Sequence, residues 1–254
     1  MLKVADIYNK LNEIAPFDTQ LSFDNAGLLV GNMDDNVSKI AIALDATPET
    51  VKSAHDNGCD LLITHHPIIF NSIKSLSELD AAYHAVKFGI CVISAHTNLD
   101  ASFGGVNDCL CDKIGVVDAK PLSNGEDTVS LARIGTVKAE FAKSCNSYAE
   151  LLKKYIGCGS VKLTQSKANI STVAVCGGAG GDYILAAKYS GADALVTGEC
   201  KHHERLLAKQ IGISLFECGH YCTEYLVKEY LYNQLKTVLD NIIIINENDP
   251  AIYI

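Results

Sequence analysis

One stretch constrains the fold more than any other, because its pattern occurs twice. "SKIAIALDATPETVKSAHDNGCDLLITHH" (38–66) opens with a β-branched, apolar run that reads as a strand. Helix signals follow: Thr47 as N-cap, Pro48 at the first helical position, Glu49 in the first turn and Gly58 as the stop. "CDLLITHH" then reads as a second strand. This is a βαβ unit and requires a parallel sheet. "STVAVCGGAGGDYILAAKYSGADALVTGEC" (171–200) repeats the pattern. One ungapped offset aligns Ile40 with Val173, Gly58 with Gly191, Asp60 with Asp193, Leu62 with Leu195 and Thr64 with Thr197. Unrelated βαβ units share such patterning often; the shared G-x-D-x-L-[IV]-T favours an internal duplication.

The parallel continues. "FGICVISAHTNLD" follows the first unit after a helix expected over Glu78 to Lys87, and "IGISLFECGHYCTE" follows the second after "KHHERLLAKQ". In both, a Gly-Ile pair opens a strand that ends near a histidine and an acid. The expected fold class is therefore α/β, with two related α/β lobes. The first spans residues 1–125 and ends around the turn-rich "KPLSNGEDT". The second spans 126–254, from "VSLARIGTVK" to a helix over "TEYLVKEYLYNQLKTVL", and the final strand "IIIIN" returns to either lobe.

Composition narrows the class. A chain of 254 residues, 48% hydrophobic and 20% charged, suits a soluble globular protein. Asp6 and Glu13 interrupt the N-terminal helical pattern, so no secretory signal is expected there. No apolar run reaches membrane-span length. A net charge of −9 without a basic cluster disfavours nonspecific nucleic-acid binding. The ten cysteines include no C-x-x-C pair and sit mostly in apolar strand-like segments. They read as buried reduced thiols of a cytoplasmic protein. Cys218 and Cys222, which flank His220, are the exception to watch, although they lack zinc-ribbon spacing.

In parallel α/β sheets, ligands bind beyond the carboxyl ends of the strands. Four of the eight histidines, His65, His66, His96 and His220, fall at or just past such ends; His202 and His203 follow another. His55 and His84 lie in helical patterns and read as solvated or capped. Neighbouring strand residues face opposite ways, so His65 and His66 share a site only if the strand has ended, which Pro67 supports. The bland alternative is that one of them caps a backbone carbonyl. Asp100 follows His96, and Asn107 in "GGVND" reads as a helix cap. His220 and Glu224 stand four apart, on one face if a helix has begun by His220. Imidazole and carboxylate donors suit Zn, Fe or Mn. Three histidines and two acids over two metals, with Glu224 bridging, would leave an open, hydrolytic site. "CGGAGG" reads either as a phosphate cradle or as a tight strand-to-helix turn.

The motifs "FDNAGLLVG" (23–31), "LLITHHP" (61–67), "AHTNLDASFGGVND" (95–108), "VAVCGGAG" (173–180), "VTGECKHH" (196–203) and "GHYCTE" (219–224) together resemble the Nif-three-like dinuclear-metal family, also labelled GTP cyclohydrolase I type 2 homologues. The resemblance covers nearly the whole chain. It implies a dinuclear metal site between the two lobes, two divalent metal ions per chain and a ring-shaped homohexamer. It implies His65 and His220 on one metal, His66 and Asp100 on the other, and Glu224 on both. Longer members carry a domain inserted between the lobes, for which 254 residues leave no room. Two positions depart from the family pattern: Phe23 stands where Trp is usual, and Glu199 where Asp is usual.

The function this implies is a metal-dependent hydrolase of the GTP cyclohydrolase I type 2 kind, opening the imidazole ring of GTP with release of formate. Glu199, His203 or His96 would move protons. Glu199 and His203 have an equal alternative as partners that orient a metal-bound histidine. His202 is expected to face solvent. The rival readings are a metal-bearing hexameric scaffold for a protein or nucleic-acid partner, and a metal-handling protein.

Overall fold

The computed structural model describes residues 1–126, 129–141 and 144–252. The chain forms two compact units: Met1–Phe103 with Val227–Asn248, and Gly104–Leu226 with Asp249–Ile254.

The first unit begins with β1 (Leu2–Lys3), α1 (Val4–Ile14), β2 (Gly27–Val30), β3 (Asn36–Val37), β4 (Ile40–Ala43), α2 (Pro48–Asp56), β5 (Leu61–Thr64), α3 (Ala81–Phe88), β6 (Cys91–Ser94) and α4 (Thr97–Ala101). Strands β4, β5 and β6 are buried throughout and run parallel, with Ile40 opposite Leu61 and Leu61 opposite Cys91. Burial on both faces explains why they read as continuous apolar runs rather than alternating ones. β2 adds an antiparallel edge beside β6. Thr47 caps α2 as its position suggests: its hydroxyl accepts the Thr50 amide at 3.1 Å. Helix α3 starts at Ala81, later than the expected Glu78. The Ser77 amide and hydroxyl both donate to the Asp80 carboxylate, which fixes a turn where the helix would otherwise begin.

The second unit holds α5 (Val106–Lys113), β7 (Val116–Leu122), β8 (Ala132–Val137), α6 (Cys145–Ile156), β9 (Lys162–Thr164), β10 (Thr172–Cys176), α7 (Ile184–Tyr189), β11 (Ala194–Thr197), α8 (His202–Ile211), β12 (Ser214–Glu217) and α9 (His220–Glu224). Its sheet runs β7-β8-β10-β11-β12-β9; β10, β11 and β12 are parallel and the other pairings antiparallel. The boundary thus falls after Phe103, not at 125. Leu110 and Cys111 of α5 and the following Ile114 pack into this unit's core, and β7 pairs with β8. "KPLSNGEDT" therefore starts as strand, through Leu122; Asp127 and Thr128 lie outside the described residues. Asn107 sits inside α5 and does not cap it, since Gly105 holds that place.

The chain then returns to the first unit. The helix expected from Thr223 onward is divided into α9 and α10 (Val227–Leu235), and the division coincides with the passage between units. β13 (Ile242–Ile244) joins the first unit's sheet, parallel to β4 with Ile242 opposite Ile40. No described helix is long and apolar enough to cross a membrane.

The repeated G-x-D has a physical meaning that is the same in each unit. Gly58 and Gly191 adopt φ of +68° and +85°, the left-handed conformation that ends α2 and α7 and favours glycine. Asp60 accepts the amides of Ser38 and Lys39 at 2.7 and 3.1 Å. Asp193 accepts those of Ser171 and Thr172 at 3.0 and 3.1 Å. Each aspartate thus satisfies the amides at the entry to its neighbouring strand, β4 or β10. The two β-pairings also share a register, Ile40 with Leu61 and Val173 with Ala194.

Candidate metal centre

In the first unit the strand has ended before the histidine pair, as Pro67 suggests. β5 stops at Thr64, whose hydroxyl donates to the His66 carbonyl at 2.8 Å. His65 is fully buried. Its Nδ1 lies 2.9 Å from the Ala95 carbonyl, an oxygen that can only accept. Nδ1 therefore carries the proton and, in the neutral ring, Nε2 carries the lone pair, 3.7 Å from Asp100 Oδ1. His66 is partly exposed and its Nδ1 meets Asp45 Oδ1 at 2.7 Å. His96 precedes α4, and its Nδ1 meets Asp24 Oδ1 at 2.8 Å. The other Asp24 oxygen accepts the amide and hydroxyl of Thr97. Burial alone would raise the Asp24 carboxyl. The His96 hydrogen bond and charge, together with Thr97, outweigh it and hold the group down at about 2. The three imidazoles offer nitrogens within 4.8 Å of one another, a grouping that could hold a metal ion. His96, expected as a proton carrier, thus joins the potential donors.

In the second unit the corresponding tip is built differently. The side chain of Glu199 is 62% exposed, and it meets His220 Nδ1 at 3.0 Å. His220 Nε2 meets the buried carboxylate of Glu224 at 3.1 Å, so the helix has begun by His220 and the i, i+4 pair shares a face. Glu199 therefore stands to His220 as Asp45 stands to His66, in contact with the ring nitrogen a metal would not use. His203 is 75% exposed, 4.0 Å from Glu204 at its closest acidic oxygen, and belongs to none of the metal-capable groupings among the described residues. His202 is exposed, as expected.

The glycine loop resolves as a tight turn. The Gly177 amide donates to Asn107 Oδ1 at 2.7 Å, Gly178 to the Thr223 hydroxyl at 3.0 Å and Gly180 to the Thr197 hydroxyl at 2.9 Å. These donors are engaged inside the protein, which removes the basis for a phosphate cradle. A Cβ on Gly178 would come within 2.3 Å of Glu224 Oε1, so the backbone must pass close to the acid. Beside this loop a pocket of ≈ 230 Å³ is lined by Asp182, Glu199, Lys201 and Glu204, among others. Its carboxylates are ill suited to a polyphosphate.

The thiols stay outside the groupings. Cys218 and Cys222 are buried. The Cys158 hydrogen bond and burial raise the Cys218 thiol well above its ordinary value, and burial with nearby Cys158 and Asp249 pushes Cys222 up to about 12. Neither is a thiolate near neutrality, and no cysteine enters a metal-capable grouping among the described residues.

Two functional contacts were not singled out in the sequence, those of Asp24 and Asp45. Asp45 could have been found, because it follows β4 with only Leu44 between, at the same edge of strand ends. Asp24 lies in "FDNAGLLVG", but nothing local connects it to His96 across the sequence.

A family model described as Duf34/NIF3 (NGG1p interacting factor 3) matches residues 2–250. A Clostridium perfringens protein named "GTP cyclohydrolase 1 type 2 homolog" is 31% identical, over 94% of each chain. Among solved structures, a Staphylococcus aureus hypothetical protein, SA1388, superposes with a TM-score of 0.89 at 28% identity, over 99% of each chain. Reduced HcgD from Methanocaldococcus jannaschii superposes with a TM-score of 0.82 at 31% identity, over 96% of this chain and 97% of that one.

Proposed function

The chain belongs to the Duf34/NIF3 family, and on that premise we propose that it is a dinuclear-metal-dependent hydrolase. One observation carries the reading. Each of the three histidines proposed as ligands, His65, His66 and His220, has Nδ1 held by a protein oxygen. That is the arrangement by which proteins orient an imidazole to ligate through Nε2. The donor set of nitrogen and carboxylate oxygen fits zinc, iron or manganese, and no cysteine enters a metal-capable grouping among the described residues.

In this reading His65, His66, Asp100, His220 and Glu224 would hold two divalent ions. Such ions would act as Lewis acids and make a nucleophile available near neutral pH. The protein's own groups do the rest. Asp45 and Glu199 fix the ring orientations of His66 and His220. Buried Asp24 locks the tautomer of His96, whose side chain keeps 18% exposure, so His96 is the residue to take up or return a proton. His203 is exposed and belongs to none of the metal-capable groupings among the described residues, so this reading assigns it no step.

The substrate reading follows the relatives' name: hydrolytic opening of the GTP imidazole ring at C8, releasing formate. The acidic pocket and engaged glycine amides give no support for phosphate binding at the loop, so affinity would rest on the base. A ring-shaped cytoplasmic homohexamer and an origin of the lobes by duplication belong to the same proposal; the shared G-x-D contacts and register support the duplication. Metal-replete protein incubated with GTP should release formate, and Glu224→Ala should abolish that release. Close to two metals per chain are expected by elemental analysis. Formate absent from wild type at full metal content would overturn the hydrolase in favour of the scaffold reading.

A further inference from the structure

The open side of the histidine cluster carries two aromatic rings that the metal reading leaves unused. Phe23 and Phe70 are 62% and 46% exposed. Their ring centroids stand 6.4 Å apart, and Phe70 meets the His96 ring edge-on at 6.1 Å and 80°. The backbone beside each ring is anchored by polar contacts of adjacent residues. Asp24, next to Phe23, is bonded to His96 and Thr97. The side chain of Asn25 donates to the carbonyl of Ile69, next to Phe70, at 2.6 Å. The same short turn therefore orients His96 and ties the backbone next to Phe23 to the backbone next to Phe70. Exposed aliphatic residues elsewhere, such as Val86 and Leu206, are ordinary surface features. An exposed aromatic pair bordering a cluster of polar side chains is the composition of a small-molecule site.

We propose that Phe23 and Phe70 form a stacking platform for the planar heteroaromatic ring of the molecule acted on at the histidine cluster, with the ring edge toward His96. The ligand's chemistry follows from what it must satisfy. An aliphatic ligand would strip water from His96 Nε2 and offer no hydrogen bond in return. A purely polar ligand would leave the phenyl faces uncovered. A flat ring with nitrogen and oxygen on its edge meets both demands, and stacking on phenylalanine tolerates variation in the ring itself. The assignment rests on the histidine cluster being the reacting centre, but binding can be measured without turnover.

The test uses guanosine as the probe and cyclohexanecarboxamide as a non-planar control, with full-length metal-replete protein in equilibrium dialysis. Wild type should bind guanosine and not the control. Phe23→Ala and Phe70→Ala should each weaken guanosine about tenfold, or about 1.4 kcal/mol, with metal content unchanged. Phe70→Tyr should stay within about threefold of wild type. The proposal is overturned if wild type binds no guanosine at millimolar concentration, or if both alanine variants bind like wild type. It is also overturned if those variants instead change the size of the assembly in sedimentation, which would mean that a second copy of the chain covers the rings. The arms separate from those of the hydrolase reading. Ring-dependent guanosine binding without formate release sinks the hydrolase alone. Formate release with KM unchanged in both alanine variants sinks the platform alone.

Discussion

The two strand tips, after β5 and after β11, start from the same pattern and end in opposite chemistry. After "LLIT" the first unit continues with His65-His66; after "ALVT" the second continues with Gly198-Glu199. Space explains the glycine. A Cβ on Gly198 would lie 2.6 Å from the Gly178 carbonyl oxygen and 2.8 Å from His220 Cα. The second tip cannot hold an imidazole there because its neighbour, the loop before α9, already brings His220 across that position. The short helices α4 and α9 correspond in place and length, yet the first contributes Asp100 from its interior and the second His220 and Glu224 from its two ends. The repeated pattern thus secures the scaffold, while a few positions near the strand ends decide which tip carries which polar side chain.

Forcing the tips to be alike should produce the largest effect. Gly198→His should destabilise the protein by about 3 kcal/mol in chemical denaturation, because backbone rather than a flexible side chain occupies the space. Full stability in that variant would break the packing explanation. His66→Ala comes next: on a partly exposed ring it should leave the fold intact and lower metal affinity by on the order of 100-fold or more, read by titration against a chelator. Asp45→Ala should cost about 10- to 100-fold by freeing the His66 ring, with Asp45→Asn recovering part of the loss. Glu199→Ala should cost about tenfold or less, the low end of that range. Glu199 is the more exposed anchor and its bond to His220 is longer, 3.0 Å against 2.7 Å. Equal losses for the two anchors would erase the distinction between the tips. The smallest effect should be Thr47→Ala, about 1 kcal/mol from the lost cap of α2. In the second unit the aligned residue is Gly180, whose role is close packing against Thr197.

Much of the candidate site was legible because its signals are local. His220 and Glu224 meet through helical spacing, and Pro67 marks the strand end that separates His65 from the sheet. The orienting partners were harder to see. Asp24 reaches His96, and Asp45 reaches His66, only after the sheet has brought strand ends together. The unit boundary was misplaced for a related reason. "VVDAKPL" is a strand because β8 pairs with it, and its charged and proline-containing end reads as turn in isolation.

By itself the sequence determined the parallel βαβ cores, the strand-end location of the histidines and the pairing of His220 with Glu224. Each follows from periodicity, chain-breaking residues or short spacing, which act within a few residues. Only the tertiary structure decided that α5 and β7 belong to the second unit and that β13 completes the first sheet. It also decided that the glycine loop spends its amides internally, and that Asp24 and Asp45 set the tautomers of His96 and His66. These depend on contacts between residues far apart in the chain, and such contacts exist only once the core has packed.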